Sequence, residues 1–196
     1  FSSNASDKQA ILDAVDAVET FQGPFNLTVA EADTLQANGA NILGGYSIQD
    51  LTNLVQAEIV SSGDIGVLEN ASTVSVSDSG TLRISVAELN AIKDTGTGLS
   101  ANYAIDDQSS AIQSVADSSD IAALQNSSAI YLSDDGTVEL KVGGYNAIGN
   151  KFDDTSDIVV RDSATAIPLS TNFSSVGGLI AEADSSDQIL TSLNPY

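Results

Sequence analysis

The chain repeats itself with a period of about 56 residues, and no other feature constrains its fold as much. A unit of that size is one supersecondary module, which cannot bury its apolar face alone and has to pack on its neighbours. Tyr46-Ser47-Ile48-Gln49-Asp50 returns as Tyr103-Ala104-Ile105-Asp106-Asp107, and in worn form as Ile158-Val159-Val160-Arg161-Asp162. Asp64-Ile65 with Leu68 and Asn70 recurs as Asp120-Ile121 with Leu124 and Asn126. Ser77-Asp78-Ser79-Gly80-Thr81 recurs as Ser133-Asp134-Asp135-Gly136-Thr137, and Asn90-Ala91-Ile92 as Asn146-Ala147-Ile148. Leu27, Val29, Glu31 and Leu35 anticipate Ile84, Val86, Glu88 and Ile92 in order.

These marks divide the chain into an N-terminal helix with a partial unit (1–45), two fuller units (46–102 and 103–157) and a partial unit (158–196). Ile11, Leu12, Val15 and Val18 mark one face of a helix over 9–21, which Gly23-Pro24 ends. Within a unit, Y-x-I-x-D alternates like a short strand, and Leu51, Leu54, Val55 and Ile59 follow at helical spacing, with Asp50 placed to cap that helix. A second short helix runs from Asp64 through Leu68. The alternation over 73–86 around Asp78-Ser79-Gly80, and over 129–142 around Asp134-Asp135-Gly136, reads as a β-hairpin with glycine at the turn. Residues 87–92 add a helical turn. The expected fold is therefore α/β, a solenoid-like tandem array in which equivalent strands of successive units lie side by side. Tyr46 and Tyr103 read as packing residues between units.

Charge narrows the partners. Six Lys and Arg face 27 Asp and Glu, for a net charge of −21. Such a surface repels nucleic-acid phosphates and anionic lipids and attracts divalent cations. No apolar run approaches bilayer length. With no Cys and no His, disulfides, thiolate metal sites and the usual nucleophile–base triads are excluded. No P-loop or dinucleotide fingerprint appears. A chain that begins at Phe1 and holds no methionine is expected to be a processed product or a segment of something longer.

The quoted marks resemble a tandem-repeat family of giant cell-surface and secreted proteins, abundant in cyanobacteria and other marine bacteria. The residues that carry the resemblance are Tyr46-Ser47-Ile48-Gln49-Asp50 with Leu54, Val74-Ser75-Val76, and Leu27-Thr28-Val29-Ala30-Glu31-Ala32, and it spans roughly residues 25–165. It implies adhesive or fibrous structural roles at a cell surface and no catalytic residue.

Two sets of polar residues invite a functional reading. Oxygen-rich loops suit Ca²⁺, which takes six to eight oxygen ligands. The best loops hold Asp134 and Asp135, and Asp153, Asp154 and Asp157; Asp106-Asp107 and Asp117 with Asp120 are weaker. Against calcium stands the habit of Asp to cap helices and close turns, and that reading is favoured. N-x-S/T sequons begin at Asn4, Asn26, Asn70, Asn126 and Asn172, a count little above chance in so Ser- and Thr-rich a chain.

The sequence thus points to a non-enzymatic, extracellular or cell-surface structural protein. It would be part of a surface filament, surface layer or large adhesin that associates with copies of itself, needs no cofactor beyond optional calcium, and inserts in no membrane. Half-units at both ends would leave strand edges for a neighbour to complete, with Phe1-Ser2-Ser3 and Asn194-Pro195-Tyr196 taking part. The alternatives are a phage virion module, from a tail fibre or capsid decoration, and a calcium-binding adhesion module.

Overall fold

The structure is a computed structural model and describes residues 20–22, 25–39, 41–43, 45–61, 65–94, 96–118, 121–167, 173 and 175–182. The chain divides into two compact units, Phe1–Tyr103 and Ala104–Tyr196. Both are mixed α/β, built of short strands and short helices.

The first unit carries β1 (Thr20–Gln22), β2 (Phe25–Leu27), α1 (Val29–Ala37), β3 (Asn41–Leu43), β4 (Tyr46–Asp50), α2 (Thr52–Ser61), α3 (Gly66–Glu69), β5 (Thr73–Val76), β6 (Leu82–Ile84), α4 (Val86–Asp94) and β7 (Gly98–Leu99). β1 pairs with β3, and β2, β4, β5 and β7 form a four-stranded sheet in that order. Every one of these pairings is parallel. Leu27, Ile48, Val74 and Leu99 stand in one row across the larger sheet, and the first three are buried. Ile59, Leu68, Leu82, Leu89 and Ile92 complete the core. Each such side chain contributes roughly 1.5–3 kcal/mol by leaving water.

The second unit takes up β8, which starts at Tyr103 and ends at Asp107, then α5 (Ser109–Ala116), α6 (Ala122–Gln125), β9 (Ile130–Leu132), β10 (Val138–Leu140), α7 (Val142–Ile148), β11 (Ile158–Ser163) and β12 (Gly178–Glu182). Two 3₁₀ turns, Gly149–Lys151 and Thr155–Asp157, sit between α7 and β11. β9 lies parallel to β8, and Phe152 bridges to Ile130 on its other side. β10, β11 and β12 form a parallel sheet.

Parallel neighbours require crossover connections, and the expected hairpins are absent because the strands they would join are not partners. β5 pairs with β4 and β7, and β9 pairs with β8; neither pairs with the strand that follows it. Ser77 and Ser133 still donate their N–H groups to the Asp50 and Asp107 carbonyls at 2.7 and 2.9 Å, and the chain after them does not fold back along β5 or β9. Gly80 and Gly136 are not left-handed, as a primed hairpin turn would demand. They are needed for a different reason. A Cβ at Gly80 would collide with the Thr52 side chain, and one at Gly136 with that of Ser109. Sheet neighbours are also non-equivalent in the repeat: Tyr46–Asp50 lies beside Thr73–Val76, not beside Tyr103–Asp107.

Elsewhere the local reading meets a mixed outcome. The helix after Y-x-I-x-D forms as α2, and the turn over 87–92 is part of the longer α4. Of the expected N-terminal helix, Thr20 and Phe21 are strand, while residues 9–19 lie outside the described residues. α3 starts at Gly66 with no side-chain cap, and Asp64 is likewise outside. Tyr46 is half-buried; it stands beside Phe25 of the preceding partial unit in the sheet, and its hydroxyl donates to the Val67 carbonyl of its own unit at 2.7 Å. Burial, with the Asp33 charge second, pushes its hydroxyl pKa up to about 12.

Candidate functional site

In a parallel β-α-β crossover the helix N-terminus and the C-terminal ends of both strands converge at one end of the sheet. That end presents unpaired N–H groups and positive helix dipole, and it is where α/β proteins hold anionic ligands. Here it is occupied by the chain's own aspartates.

Asp50 ends β4. Its Oδ2 accepts the N–H of Val29, the first residue of α1, at 3.1 Å, and its Oδ1 accepts the Leu51 N–H at 2.8 Å. Asp162 in β11 does the same for α7, taking Val142 N–H at 3.1 Å and Ser163 N–H at 2.8 Å. Asp50 therefore clamps the helix before its strand, not the helix after it as its position in the sequence suggested. α2 is capped instead by Asp78, just past β5. That carboxylate accepts the Thr52 N–H at 3.3 Å, the Thr52 hydroxyl, and the Gly80 N–H at 3.2 Å. Asp134 repeats the arrangement on α5 with Ser109 N–H at 3.0 Å, Ser109 Oγ at 3.1 Å and Gly136 N–H at 3.4 Å.

These bonds favour the ionised form. The Thr52 hydroxyl first, then backbone N–H groups, hold Asp78 below the ordinary carboxylate value; for Asp134 the Ser109 N–H leads. α1 and α4 add capping boxes. Thr28 Oγ1 accepts from Glu31 N while the Glu31 carboxylate accepts from Thr28 N, and Ser85 and Glu88 match them. The T/S-x-x-E spacing at 28–31 and 85–88 was available in the sequence. So was the pairing of D-x-G with a Ser or Thr one strand–helix crossover upstream.

Of the five aspartates read as calcium candidates, the structure gathers four. Desolvation, then the charges of Asp154, Asp134 and Asp135, raise the Asp157 pKa. Their loops come together because Phe152 bridges to Ile130 and Asp153 N–H donates to the Ile130 carbonyl at 3.0 Å. Two of the four are already engaged. Asp134 caps α5, and Asp154 caps the Thr155–Asp157 turn through Ser156 N–H at 2.8 Å, with its pKa lowered by Ser156. The Asp153 side chain is exposed. Among the described residues, no group of three or more Asp or Glu side chains is arranged to hold a metal ion. Of the weaker candidates, Asp107 accepts its neighbour's N–H at 2.8 Å, Asp117 accepts from Gln113 Nε2 at 2.9 Å, and Asp120 lies outside the described residues.

Glutamine performs a second recurring task that the sequence reading missed. Gln56 in α2 takes both backbone groups of Arg83 in β6: Oε1 accepts the N–H at 2.6 Å and Nε2 donates to the carbonyl at 2.7 Å. Gln113 in α5 holds Glu139 in β10 at 2.6 and 2.8 Å. Each amide mimics one residue of a neighbouring strand. No buried side-chain nitrogen or oxygen among the described residues lacks a hydrogen-bond partner, and no described helix is long and apolar enough to cross a membrane.

No family model, no curated protein and no solved structure matches the chain.

Proposed function

We propose that the chain is a non-enzymatic structural protein of a cell exterior, a self-associating piece of a surface filament, layer or large adhesin, whose repeated units form a solenoid-like array. One observation carries the reading. The sheet ends where an α/β protein would bind its ligand are filled by Asp50, Asp78, Asp134 and Asp162, each spent on a helix start of its own chain. An anionic substrate or cofactor there would have to displace a tethered carboxylate and sit beside it. The recurring polar residues hold crossovers together.

The recurrence of Asp78 with Thr52 as Asp134 with Ser109, and of Gln56 with Arg83 as Gln113 with Glu139, supports a tandem array made from one local plan. The strongly acidic surface suits an exterior protein that must stay soluble between assembly events. Electron microscopy of the purified chain, with and without millimolar calcium, is the test. Filaments or ordered sheets are expected, and dependence on calcium would bring the Asp134/Asp157 loops back as ligands. Uniform monomers at all concentrations would sink the self-associating reading.

A further inference from the structure

A strand at the rim of a sheet offers its outward N–H and C=O groups to any extended chain that meets it, and folded proteins close such rims with charge, proline, bulges or cover. The three-residue strands β6 and β10 are closed in another way. Along a strand, the backbone N–H and C=O of one residue face the side opposite those of its neighbours. In β6 the Leu82 N–H donates to the Asn102 carbonyl at 2.9 Å, so Arg83 is the residue of that strand whose backbone groups face the other way. Gln56 takes both of them. In β10, which pairs with β11, the middle residue is Glu139, and Gln113 takes both of its groups. One side-chain amide thus fills the whole outward bonding capacity of each strand.

Exposure and chemistry together indicate what these amides are for. Arg83 and Glu139 are exposed, and Gln56 and Gln113 are only partly buried. Water could satisfy the same backbone groups, and a hydrogen bond that replaces one to water adds little net stability. The clips are therefore not needed to rescue buried polar atoms. What they change is access to the rim. A glutamine amide carries a donor and an acceptor side by side, as a peptide does, whereas a carboxylate in its place would leave the carbonyl unanswered. The device recurs in both units from the fifth residue of the upstream helix, α2 or α5. In the second unit it is also locked, because Gln113 Nε2 donates to Asp117 Oδ2 at 2.9 Å as well.

We propose that Gln56 and Gln113 are edge seals: each occupies the strand-addition position on its rim and bars an extended segment of another copy from pairing there. Deleting the amide, with the helix and strand left in place, turns each rim into a docking site for such a segment. The proposal does not rest on the self-associating reading. It concerns two edges through which copies are kept from joining, whatever surface joins them elsewhere.

The test compares two double variants with the parent. Gln56→Met with Gln113→Met keeps the length of the side chain and deletes the amide. Gln56→Glu with Gln113→Glu also loses the bond to the carbonyl but places a charge on the rim, which by itself deters pairing. Sedimentation velocity and residue-resolved amide hydrogen exchange read the outcome, in about 0.15 M salt so that repulsion between acidic copies is screened beyond roughly 8 Å. In the dilute Met variant the Arg83 and Glu139 N–H groups should exchange on the order of tenfold faster than in the parent. At higher concentration that variant should form species larger than the parent's, with both amides protected again, while the Glu variant sediments like the parent. Larger species in which the two amides stay unprotected would overturn the proposal, because association would then run through another surface. So would a Met variant that is less stable and no more associated than the parent, which would make the clips mere staples between helix and strand. Equal association of the Met and Glu variants would also overturn it, since loosened packing would then be the cause. Where a double variant does not fold, the single-site variants carry the same comparison, each unit holding its own clip.

Discussion

The crossovers β4-α2-β5 and β11–β12 leave corresponding strands and arrive differently. The first inserts a helix, seals its start with Asp78, and delivers β5 with Val74 fully buried. The second is shorter, pairing Val159 with Gly178 where the first pairs Ser47 with Thr73. Its described residues Ala164–Ile167 form turns closed on Ser163, with no helix start for a carboxylate to cap. The residue at the end of β12 is Glu182, which faces Arg161 at 3.7 Å; Arg161 also grips Glu139 at 2.7 and 3.1 Å. One crossover is thus fixed by a helix clamp and burial, the other by a surface ion pair across three strands. Exposed pairs of that kind are worth about 0–1 kcal/mol, so β12 is held chiefly by its ladder. The difference ties the aspartate clamp to the helix: among the described residues of the second crossover there is neither a helix start nor a clamp, and Leu179 is exposed where Val74 is buried.

The most forceful way to break the comparison is to truncate the two corresponding positions. Ile130→Ala should lower unfolding free energy by about 2–5 kcal/mol, the cost of a cavity at a fully buried site. Leu179→Ala, measured on dilute chain, should cost less than about 1 kcal/mol. Chemical denaturation reads both. Equal losses would mean that Leu179 is buried in solution and that the two crossovers are alike.

Glycine sharpens the contrast at intermediate size. A Cβ at Gly177 would fall on the Ser156 carbonyl oxygen, which is backbone and cannot step aside, whereas Gly143 in α7 has open space around it. Gly177→Ala should therefore destabilise by about 1–3 kcal/mol, through a forced backbone shift where β12 begins. Gly143→Ala should stabilise by up to about 1 kcal/mol, the ordinary gain of alanine in a helix. Opposite shifts in melting temperature check the pair. A harmless Gly177→Ala would show that the Thr155–Asp157 turn does not press on the start of β12.

How much of this was written in the sequence depends on the range of the interaction. Y-x-I-x-D announces β4 and β8 because alternation is local, and Leu51 to Ile59 announces α2 for the same reason. The hairpins were misread because Thr73-Val74-Ser75-Val76 and Leu82-Arg83-Ile84 alternate equally well whichever strand they pair with; period two specifies a strand and never its partner. The partner is set by the helical crossover, and the legible trace of that crossover was Asp78-x-Gly80 with Thr52, repeated as Asp134-x-Gly136 with Ser109. The candidate calcium residues show the same limit. Sequence spacing grouped Asp134 with Asp135 and Asp153 with Asp154 and Asp157, and the fold does bring the two loops together. It brings them together through the Phe152 bridge to Ile130 and spends Asp134 and Asp154 as caps, which no count of carboxylates could reveal.

The smallest effect is the most diagnostic of that acidic corner. Asp157 carries a pKa raised above 3.8, by desolvation first and then by Asp154, Asp134 and Asp135. A raised carboxylate pKa means that the folded chain holds this proton more tightly than the unfolded one. Stability from this group is thus greatest below pH 3.8 and falls as pH rises through the folded value. The caps Asp134 and Asp154 have the opposite sign: their lowered pKa values give stability that is present above pH 3.8 and is lost as pH falls through the folded values. Asp157→Asn should therefore raise the melting temperature at pH 7 by only about 1 °C, since the group is mostly solvated, and change nothing near pH 3. Asp134→Asn should lower the melting temperature at pH 7 and also converge with the parent in acid. Thermal melts from pH 3 to 7 separate the two. If Asp157→Asn destabilised the chain at neutral pH, the carboxylate would be accepting a bond that offsets its three negative neighbours, and the corner would be a built feature of the fold instead of the by-product of two caps meeting.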